Sequence, residues 1–236
     1  MGIGKEFIEL MDKINYTFSD ITYLQTALTH TSYTNEMKGK GFRAPSNETL
    51  EFLGDAVLET VVSEELYDRY EKLGEGVLTK MRQTLVCEST LAVVARSISL
   101  GDYLNIGNGE ENTGVREKTK VLADAMEALI AAIYIDDRAK GGNEYKNVIV
   151  DLFYDEIEAV SRRGNGDYKT RLQQFVEKNG DSSLHYEYTE TGPQHEKLFC
   201  AVAYINNNRV GEGTGSTKRA AEMQAARAAL RLFGIL

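Results

Sequence analysis

Two groups of carboxylates occur in this sequence at spacings that could do chemistry. Glu48, Glu51 and Asp55 are three and four residues apart, so on a helix they would share one face. Seven acidic residues and no lysine or arginine lie between Ala44 and Asp68, so no cation close in sequence neutralises the group. Considered alone, the pattern is also typical of a solvated acidic helix face.

The second group favours a metal site over that simpler interpretation. Asp124 and Glu127 are the charged residues of the otherwise apolar run Val121–Ile135. A helix over this run should bury the two carboxylates at least in part, and we expect no basic residue in that helix to supply a partner for them. A divalent cation would satisfy both groups, and oxygen ligands without His or Cys indicate Mg²⁺, with Mn²⁺ as a substitute, rather than zinc.

Three other residues are less specific on their own. Glu75 stands at the start of a predicted helix, where an acidic residue is mildly stabilising without any catalytic role. Gly54 interrupts a helical pattern at a cost of about 1 kcal/mol, so we expect another backbone or a substrate to approach it closely. His30 is a lone histidine for which we expect a structural role.

The elements that must position these residues change character near residue 160. Before it, apolar residues recur at helical spacing and no alternating strand pattern is found; the predicted helices cover 50–66, 85–98, 121–134 and 145–160. After it, the pattern predicts a helix, three strands and a final helix, over 168–178, 184–191, 198–205, 209–213 and 218–233. The polar, glycine-rich segment 162–166 lies between the two parts.

We therefore predict an α+β protein with two domains. An all-α domain over 1–161 precedes the linker 162–166, and a small α-β-β-β-α domain covers 167–236. The net charge of −9 is unevenly distributed, because the second domain has nine basic and eight acidic residues. The acidic total therefore does not exclude a nucleic-acid partner.

The sequence also favours a cytoplasmic protein without a membrane anchor. The first 20 residues lack the apolar core of a signal peptide, and the most apolar run is too short to span a bilayer. Cys87 and Cys200 are far apart and form neither a disulfide framework nor a zinc knuckle. No motif calls for an organic cofactor.

Four motifs, in order, resemble the ribonuclease III family, and the resemblance extends over essentially the whole chain: Ala27–Tyr33, Asn47–Leu58, Glu75–Arg82 and Leu122–Ile130. It implies an endoribonuclease that cuts both strands of double-stranded RNA and leaves 5′-phosphate and 3′-hydroxyl ends. It also implies two-metal hydrolysis, in which one cation activates water and the other stabilises the leaving 3′ oxygen. Processing of ribosomal and other RNA precursors is the family-level expectation.

The resemblance assigns roles to six carboxylates. The implied metal ligands are Glu51, Asp55, Asp124 and Glu127. The implied catalytic residues are Asp55 and Glu127, together with Glu48 and Glu75 around the catalytic valley. The resemblance further implies a homodimer, which would face two sites toward antiparallel strands. Phe52 matches the aromatic residue of the dimer interface, and ordinary core packing of Phe52 remains the alternative.

Three segments of the C-terminal part resemble a double-stranded RNA-binding domain: Asp167–Phe175, Gly192–His195 and Gly211–Glu222. Such domains recognise the shape of A-form RNA. The implied minor-groove contacts are Thr170, Gln173 and Gln174 in the first helix and Gln194 or His195 in a turn. The implied phosphate contacts are Lys218 and Arg219 at the start of the last helix.

Five residues depart from the family pattern without removing a carboxylate: Thr49, Val115, Lys120, Ala131 and Ala220. Lys120 and Ala131 replace common small residues, and Ala220 leaves one fewer cation at the RNA-binding cluster. Two alternatives stay open. One is a non-catalytic RNA-binding protein with a relic nuclease domain, and the other is a DNA nuclease, which the 2′-hydroxyl contacts of the second domain disfavour.

Overall fold

The computed structural model of the chain describes residues 4–71, 73–164, 168–180, 183–191 and 197–235. They form two compact units, which divide between residues 160 and 161. The first is helical and the second contains a three-stranded sheet with helices, so the predicted α+β class is confirmed. The limits of the predicted domains and linker stay a prediction. No helix in the described ranges is long and apolar enough to cross a lipid bilayer.

The described part of the first unit consists of helices, short 3₁₀ turns and one isolated bridge between Thr29 and Asn105. The helices are, in chain order, α1 (Lys5–Lys13), α2 (Ile21–Ala27), α3 (Thr31–Gly39), α4 (Glu48–Arg69), α5 (Glu75–Leu85), α6 (Glu88–Ser97), α7 (Asn108–Glu111), α8 (Thr119–Ala139), α9 (Tyr145–Leu152) and α10 (Tyr154–Gly164).

Helix α8 is the central element of this unit. Its residues from Ala128 to Ile133 are wholly buried, and α2, α4 and α6 pack against it. Alanines at several of these positions let the neighbouring helices approach closely, while Met126 and Leu129 fill the space between them. The carboxylates at positions 124 and 127 therefore project from the most buried helix of the unit.

Two predicted helices are shorter in the structure than their apolar patterns. The predicted helix 145–160 was wrong as a single element, because α9 ends before the fully buried Phe153 and α10 begins after it. Hydrogen bonds still cross the break, from Phe153 N to Ile149 O and from Ile157 N to Phe153 O. The predicted helix 85–98 begins only at Glu88, because Cys87 is in an extended conformation.

The second unit contains α11 (Tyr168–Lys178), β1 (Leu184–Thr191), β2 (Leu198–Ile205), β3 (Asn208–Gly215) and α12 (Lys218–Leu232). The strands form an antiparallel sheet in the order β1-β2-β3, and α12 packs on β2 and β3. Asn206 adopts φ 55° in the β2–β3 turn, a left-handed conformation that asparagine tolerates. Strand β3 extends beyond the predicted 209–213 at both ends.

Alternate glycines of β3 allow α12 to lie directly on the sheet. An added Cβ at Gly211 or Gly213 would overlap the backbone of Ala225, and one at Gly215 would press against Ala220. The facing side chains of α12 are small, since Ala221, Ala225, Ala226 and Ala229 are all wholly buried. This close packing fixes the N-terminus of α12, where the two candidate phosphate contacts lie.

Candidate active site

Helices α4 and α8 cross where a glycine of one meets the backbone of the other. Gly54 is buried, and an added Cβ there would overlap the carbonyl oxygen of Glu127. The expectation that another backbone approaches Gly54 is therefore confirmed. The crossing brings the carboxylates of the two helices together although they are about 70 residues apart in sequence.

Three carboxylates meet at this crossing and form the acidic cluster: Glu51 of α4 with Asp124 and Glu127 of α8. One oxygen from each lies within 4.8 Å of the others, and all three side chains are partly buried. Asp55, one helical turn along from Glu51, is exposed and acts on Glu127 through its charge. Members of both predicted groups of carboxylates thus meet at the α4–α8 crossing.

The electrostatics of the acidic cluster show a shortage of positive charge. Burial and the neighbouring charges of Asp55, Glu51 and Asp124 raise the pKa of Glu127 to about 7. Burial and Asp124 also raise the pKa of Glu51. Carboxylates held this close together resist ionisation unless a cation joins them. Their oxygen ligands suit a hard divalent cation.

Lys120 provides Asp124 with a basic partner from the same helix. Helix α8 begins at Thr119, before the apolar run, so Lys120 belongs to it. Its Nζ donates to both oxygens of Asp124, at 3.0 and 3.1 Å. The inference that this helix supplies no basic partner was therefore wrong.

Glu48 and Glu75 lie outside the acidic cluster. Glu48 is exposed at the start of α4, where the Ser46 hydroxyl donates to it at 3.0 Å. Glu75 begins α5 and accepts a 3.0 Å hydrogen bond from Thr79. It lines a cavity of about 510 Å³ together with Tyr67 and other residues of α4 and α5.

His30 and Phe52 lie in different environments within the first unit. His30 caps α3, because its Nδ1 accepts from the backbone N–H of Ser32. Phe52 points away from the core of its own unit, and its side chain is 83% exposed. Core packing within this chain is therefore excluded for Phe52.

The predicted minor-groove contacts on α11 lie together on the surface of the second unit. Thr170, Gln173 and Gln174 line one shallow cavity with Lys169 and Tyr186. The amide of Gln173 donates to Glu177 at 2.9 Å. Gln194 and His195 lie outside the described residues.

Lys218 and Arg219 are both exposed at the N-terminus of α12, whose N-cap is Thr217. The Lys218 ammonium lies 5.5 Å from the centre of the Tyr188 ring and 3.9 Å from a Glu190 oxygen. Lys218 remains at the surface despite both contacts, since 58% of its side chain is exposed.

A network of side chains that the sequence did not indicate lies beside these residues. Glu222 of α12 pairs with Lys169 of α11 and accepts from the Tyr188 hydroxyl of β1. It therefore ties the two candidate RNA-contacting helices together through the sheet. Lys169 and Glu222 are 53 residues apart, so no local pattern in the sequence links them.

Comparisons with known proteins match both units. The family described as Ribonuclease-III-like matches residues 20–156, and the double-stranded RNA binding motif matches residues 168–232. Ribonuclease 3 of Natranaerobius thermophilus is 44% identical over 95% of this chain and 96% of its own length. Ribonuclease 3 of Caldanaerobacter subterraneus is 46% identical over 96% and 98%, respectively.

Two solved structures of nuclease domains are similar to this chain. The crystal structure of the ribonuclease III nuclease domain from Campylobacter jejuni is 38% identical, with a TM-score of 0.55, and the match covers 63% of this chain and 94% of that domain. A second structure of the same domain has the same identity and TM-score, covers 63% of this chain and 96% of its own, and is described as showing structural flexibility in a region involved in dimer formation.

Proposed function

Because this chain belongs to the ribonuclease III family, and so is an endoribonuclease that acts on double-stranded RNA, we propose that the carboxylates at the α4–α8 crossing hold its catalytic cations. The proposed ligands are Glu51, Asp55, Asp124 and Glu127. The single observation that carries this proposal is the convergence of Glu51, Asp124 and Glu127 within 4.8 Å.

Mg²⁺ is the proposed ion, with Mn²⁺ as a substitute. All the proposed ligands are carboxylates, and hard oxygen ligands suit these cations. The raised pKa of Glu127 supports the assignment, since a cation would relieve the mutual repulsion that causes part of that shift. When bound, the cations would supply a water nucleophile near neutral pH and stabilise the leaving 3′ oxygen, giving 5′-phosphate and 3′-hydroxyl ends.

The chain's own carboxylates divide this work in the proposal. Asp55 and Glu127 would hold the cations that act on the reacting phosphodiester. Asp55 is suited to this because it is exposed one turn from the acidic cluster. Glu48 and Glu75 are exposed acidic residues at the N-termini of α4 and α5. We assign them supporting catalytic roles around the scissile strand.

RNA capture is assigned to the second unit. Thr170, Gln173 and Gln174 would enter one minor groove, since they lie on one surface of α11. Lys218 and Arg219 would bind phosphate, since their cations and the N-terminus of α12 attract the same anion. Gln194 or His195 would reach the next minor groove.

We propose that the active enzyme is a homodimer. Phe52 lies beside Glu51 on α4 and exposes an aromatic side chain that its own unit does not cover. A two-fold dimer would present two equivalent sites to antiparallel strands.

The proposed location is the cytoplasm, where RNA precursors such as those of ribosomal RNA would be processed. Both cysteines are free thiols, which suits a reducing compartment.

The test is cleavage of a long RNA duplex, with and without Mg²⁺, by the wild type and Glu127→Gln. We expect Mg²⁺-dependent cutting by the wild type and about a hundredfold slower cutting by the variant, because an anionic metal ligand becomes a neutral amide. Duplex binding should be unchanged, since the second unit is untouched. Glu117→Gln is the matched control, as Glu117 is an exposed carboxylate of the same unit.

Three outcomes would count against parts of the proposal. Equal cutting by Glu127→Gln would remove Glu127 from the metal ligands. Binding without cutting by every protein, in Mg²⁺ and in Mn²⁺, would favour a non-catalytic RNA-binding protein. Equal cutting of duplex DNA would favour the DNA nuclease.

A further inference from the structure

Lys120 lies beside the acidic cluster, and its ammonium contacts the Asp124 carboxylate that a metal ion would also bind. Its ammonium donates to both oxygens of Asp124 from one turn earlier in α8. The two side chains differ in exposure, since 71% of the Lys120 side chain is exposed and 24% of the Asp124 side chain. The lysine can therefore leave the contact for solvent, whereas Asp124 is held by the packing of α8.

The influence of Lys120 extends beyond its hydrogen-bonded partner. Asp124 and, more weakly, Glu51 and Glu88 attract its charge. In return, Lys120 lowers the cost of ionising both Glu51 and Glu127. One tethered cation thus partly neutralises every member of the acidic cluster.

We infer that Lys120 is a built-in counter-ion of the metal centre, which holds the Asp124 carboxylate in the metal-free protein and yields it when a divalent cation binds. It is a positioning residue that sets the metal concentration the enzyme requires. The inference rests on the proposed metal ligands.

The charges determine the direction of the effect. A divalent cation at Asp124 must displace the ammonium and then experiences its repulsion nearby. Exposed ion pairs contribute up to about 1 kcal/mol, so removing the lysine should tighten metal binding by roughly two- to fivefold. Because the effect is electrostatic and near the surface, high salt should reduce it.

The experiment measures Mn²⁺ binding to the full chain without RNA, from the electron paramagnetic resonance signal of the free ion. Lys120→Met removes the charge and keeps the length of the side chain, while Lys120→Arg keeps the charge. The matched control is Lys40→Met, because Lys40 and Glu36 form another exposed pair at the same i,i+4 spacing, outside the acidic cluster. Glu127→Gln tests the site itself.

We expect Lys120→Met to lower the dissociation constant for Mn²⁺ by about two- to fivefold at low salt. The difference in this dissociation constant between Lys120→Met and the wild type should narrow at about 1 M KCl. A merely structural role of Lys120 would not produce that salt dependence. Lys120→Arg and Lys40→Met should bind as the wild type does. In cleavage assays, the Mg²⁺ concentration at half-maximal rate should fall by the same factor.

Two failures can be distinguished. If Glu127→Gln weakens Mn²⁺ binding while Lys120→Met leaves it unchanged or also weakens it, the counter-ion role is wrong and the metal centre stands. If Glu127→Gln leaves Mn²⁺ binding unchanged, the proposed metal centre is wrong, and the role of Lys120 with it.

Discussion

At the scale of single residues, Glu127 bears the largest electrostatic cost of the acidic cluster. Burial and three neighbouring carboxylates raise its pKa from 4.5 to about 7. An acid whose pKa is raised by folding ionises first in the unfolded chain, so its ionisation weakens the fold as pH rises from about 4.5 to 7. Above pH 7 the full cost is present unless a cation offsets it.

Replacing this group should therefore stabilise the metal-free protein. We expect Glu127→Gln to raise the free energy of unfolding at pH 8 by on the order of 1 kcal/mol, an amount already reduced for the partial exposure of the side chain. At pH 4 the two proteins should unfold nearly alike, because Glu127 is then mostly protonated in both states. Urea titrations with chelator at both pH values measure this.

The stability measurement has a control variant and a result that would contradict the expectation. Glu117→Gln should change stability little at either pH, because the side chain of Glu117 is 74% exposed. A Glu127→Gln protein that is less stable than the wild type at pH 8 would show that the carboxylate is not strained by its neighbours. Added Mg²⁺ should reverse the order, since only the wild type retains all the anionic ligands.

The sequence indicated which carboxylates share a helix face, but not how buried each of them is. Spacing alone placed Glu51 and Asp55 on one helix face, but it could not show that Glu51 is partly buried and Asp55 exposed. That difference depends on where α8 crosses α4. Lys120 was missed because it precedes the apolar run, although its i,i+4 spacing to Asp124 was a usable signal.

At the scale of the elements, the site depends on the close approach of α4 to α8. Gly54→Ala should separate the helices, because the added methyl group would overlap the Glu127 carbonyl. We expect a loss of about 2–3 kcal/mol in the free energy of unfolding and severe loss of cleavage. Thermal unfolding and cleavage rates of the same preparations measure both effects.

The control for Gly54 is another glycine in a helix. Gly76 lies in α5, and an added Cβ would meet nothing within 4 Å. Gly76→Ala should thus leave stability equal or higher by about 0.5–1 kcal/mol, with cleavage unchanged. Equal effects of the two substitutions would show that the helix crossing does not depend on Gly54.

The elements of the second unit were predicted more accurately than those of the first. Alternating residues and the Asn206 turn defined β1 and β2 at their observed ends. In the first unit, the break at Phe153 could not be predicted, because the apolar period continues through it. The packing role of Gly211, Gly213 and Gly215 was also hidden, since it depends on α12 lying over β3.

Helix α12 should contribute to RNA binding through the charge at its N-terminus. Lys218→Met should weaken duplex binding and lower the slope of log K against log salt by up to about 0.9, the value for one phosphate contact. The measurement is duplex affinity from low to moderate salt. Arg231→Met is the control, because Arg231 lies at the opposite end of α12. Equal slopes for wild type and Lys218→Met would remove Lys218 from the phosphate contacts.

At the scale of the whole molecule, the charges suit a division of labour. The first 166 residues contain 18 basic and 28 acidic residues, whereas the remainder is close to neutral. RNA phosphates are therefore repelled by the nuclease part unless cations occupy it. Binding by the second unit and metal loading of the first both favour productive contact, and neither function could be inferred from the total charge of −9.

The dimer is proposed because a single chain leaves the side chain of Phe52 uncovered. Phe52 is 83% exposed and therefore contributes little to the stability of its own fold. Phe52→Ala should leave the melting temperature of the dissociated chain unchanged. Dimerisation should weaken by at least about 2 kcal/mol, roughly thirtyfold, if the ring fills a pocket of a second copy.

Sedimentation over a range of protein concentrations would measure that change directly. Ile8→Ala is the control, since Ile8 is another exposed apolar residue of the same unit. Because a two-fold dimer presents paired sites, dissociation of Phe52→Ala should also reduce coordinated cutting of both strands at low protein concentration. A Phe52→Ala protein with the wild-type dimer affinity would place the interface elsewhere on the nuclease unit, and α4 would then serve the metal centre alone.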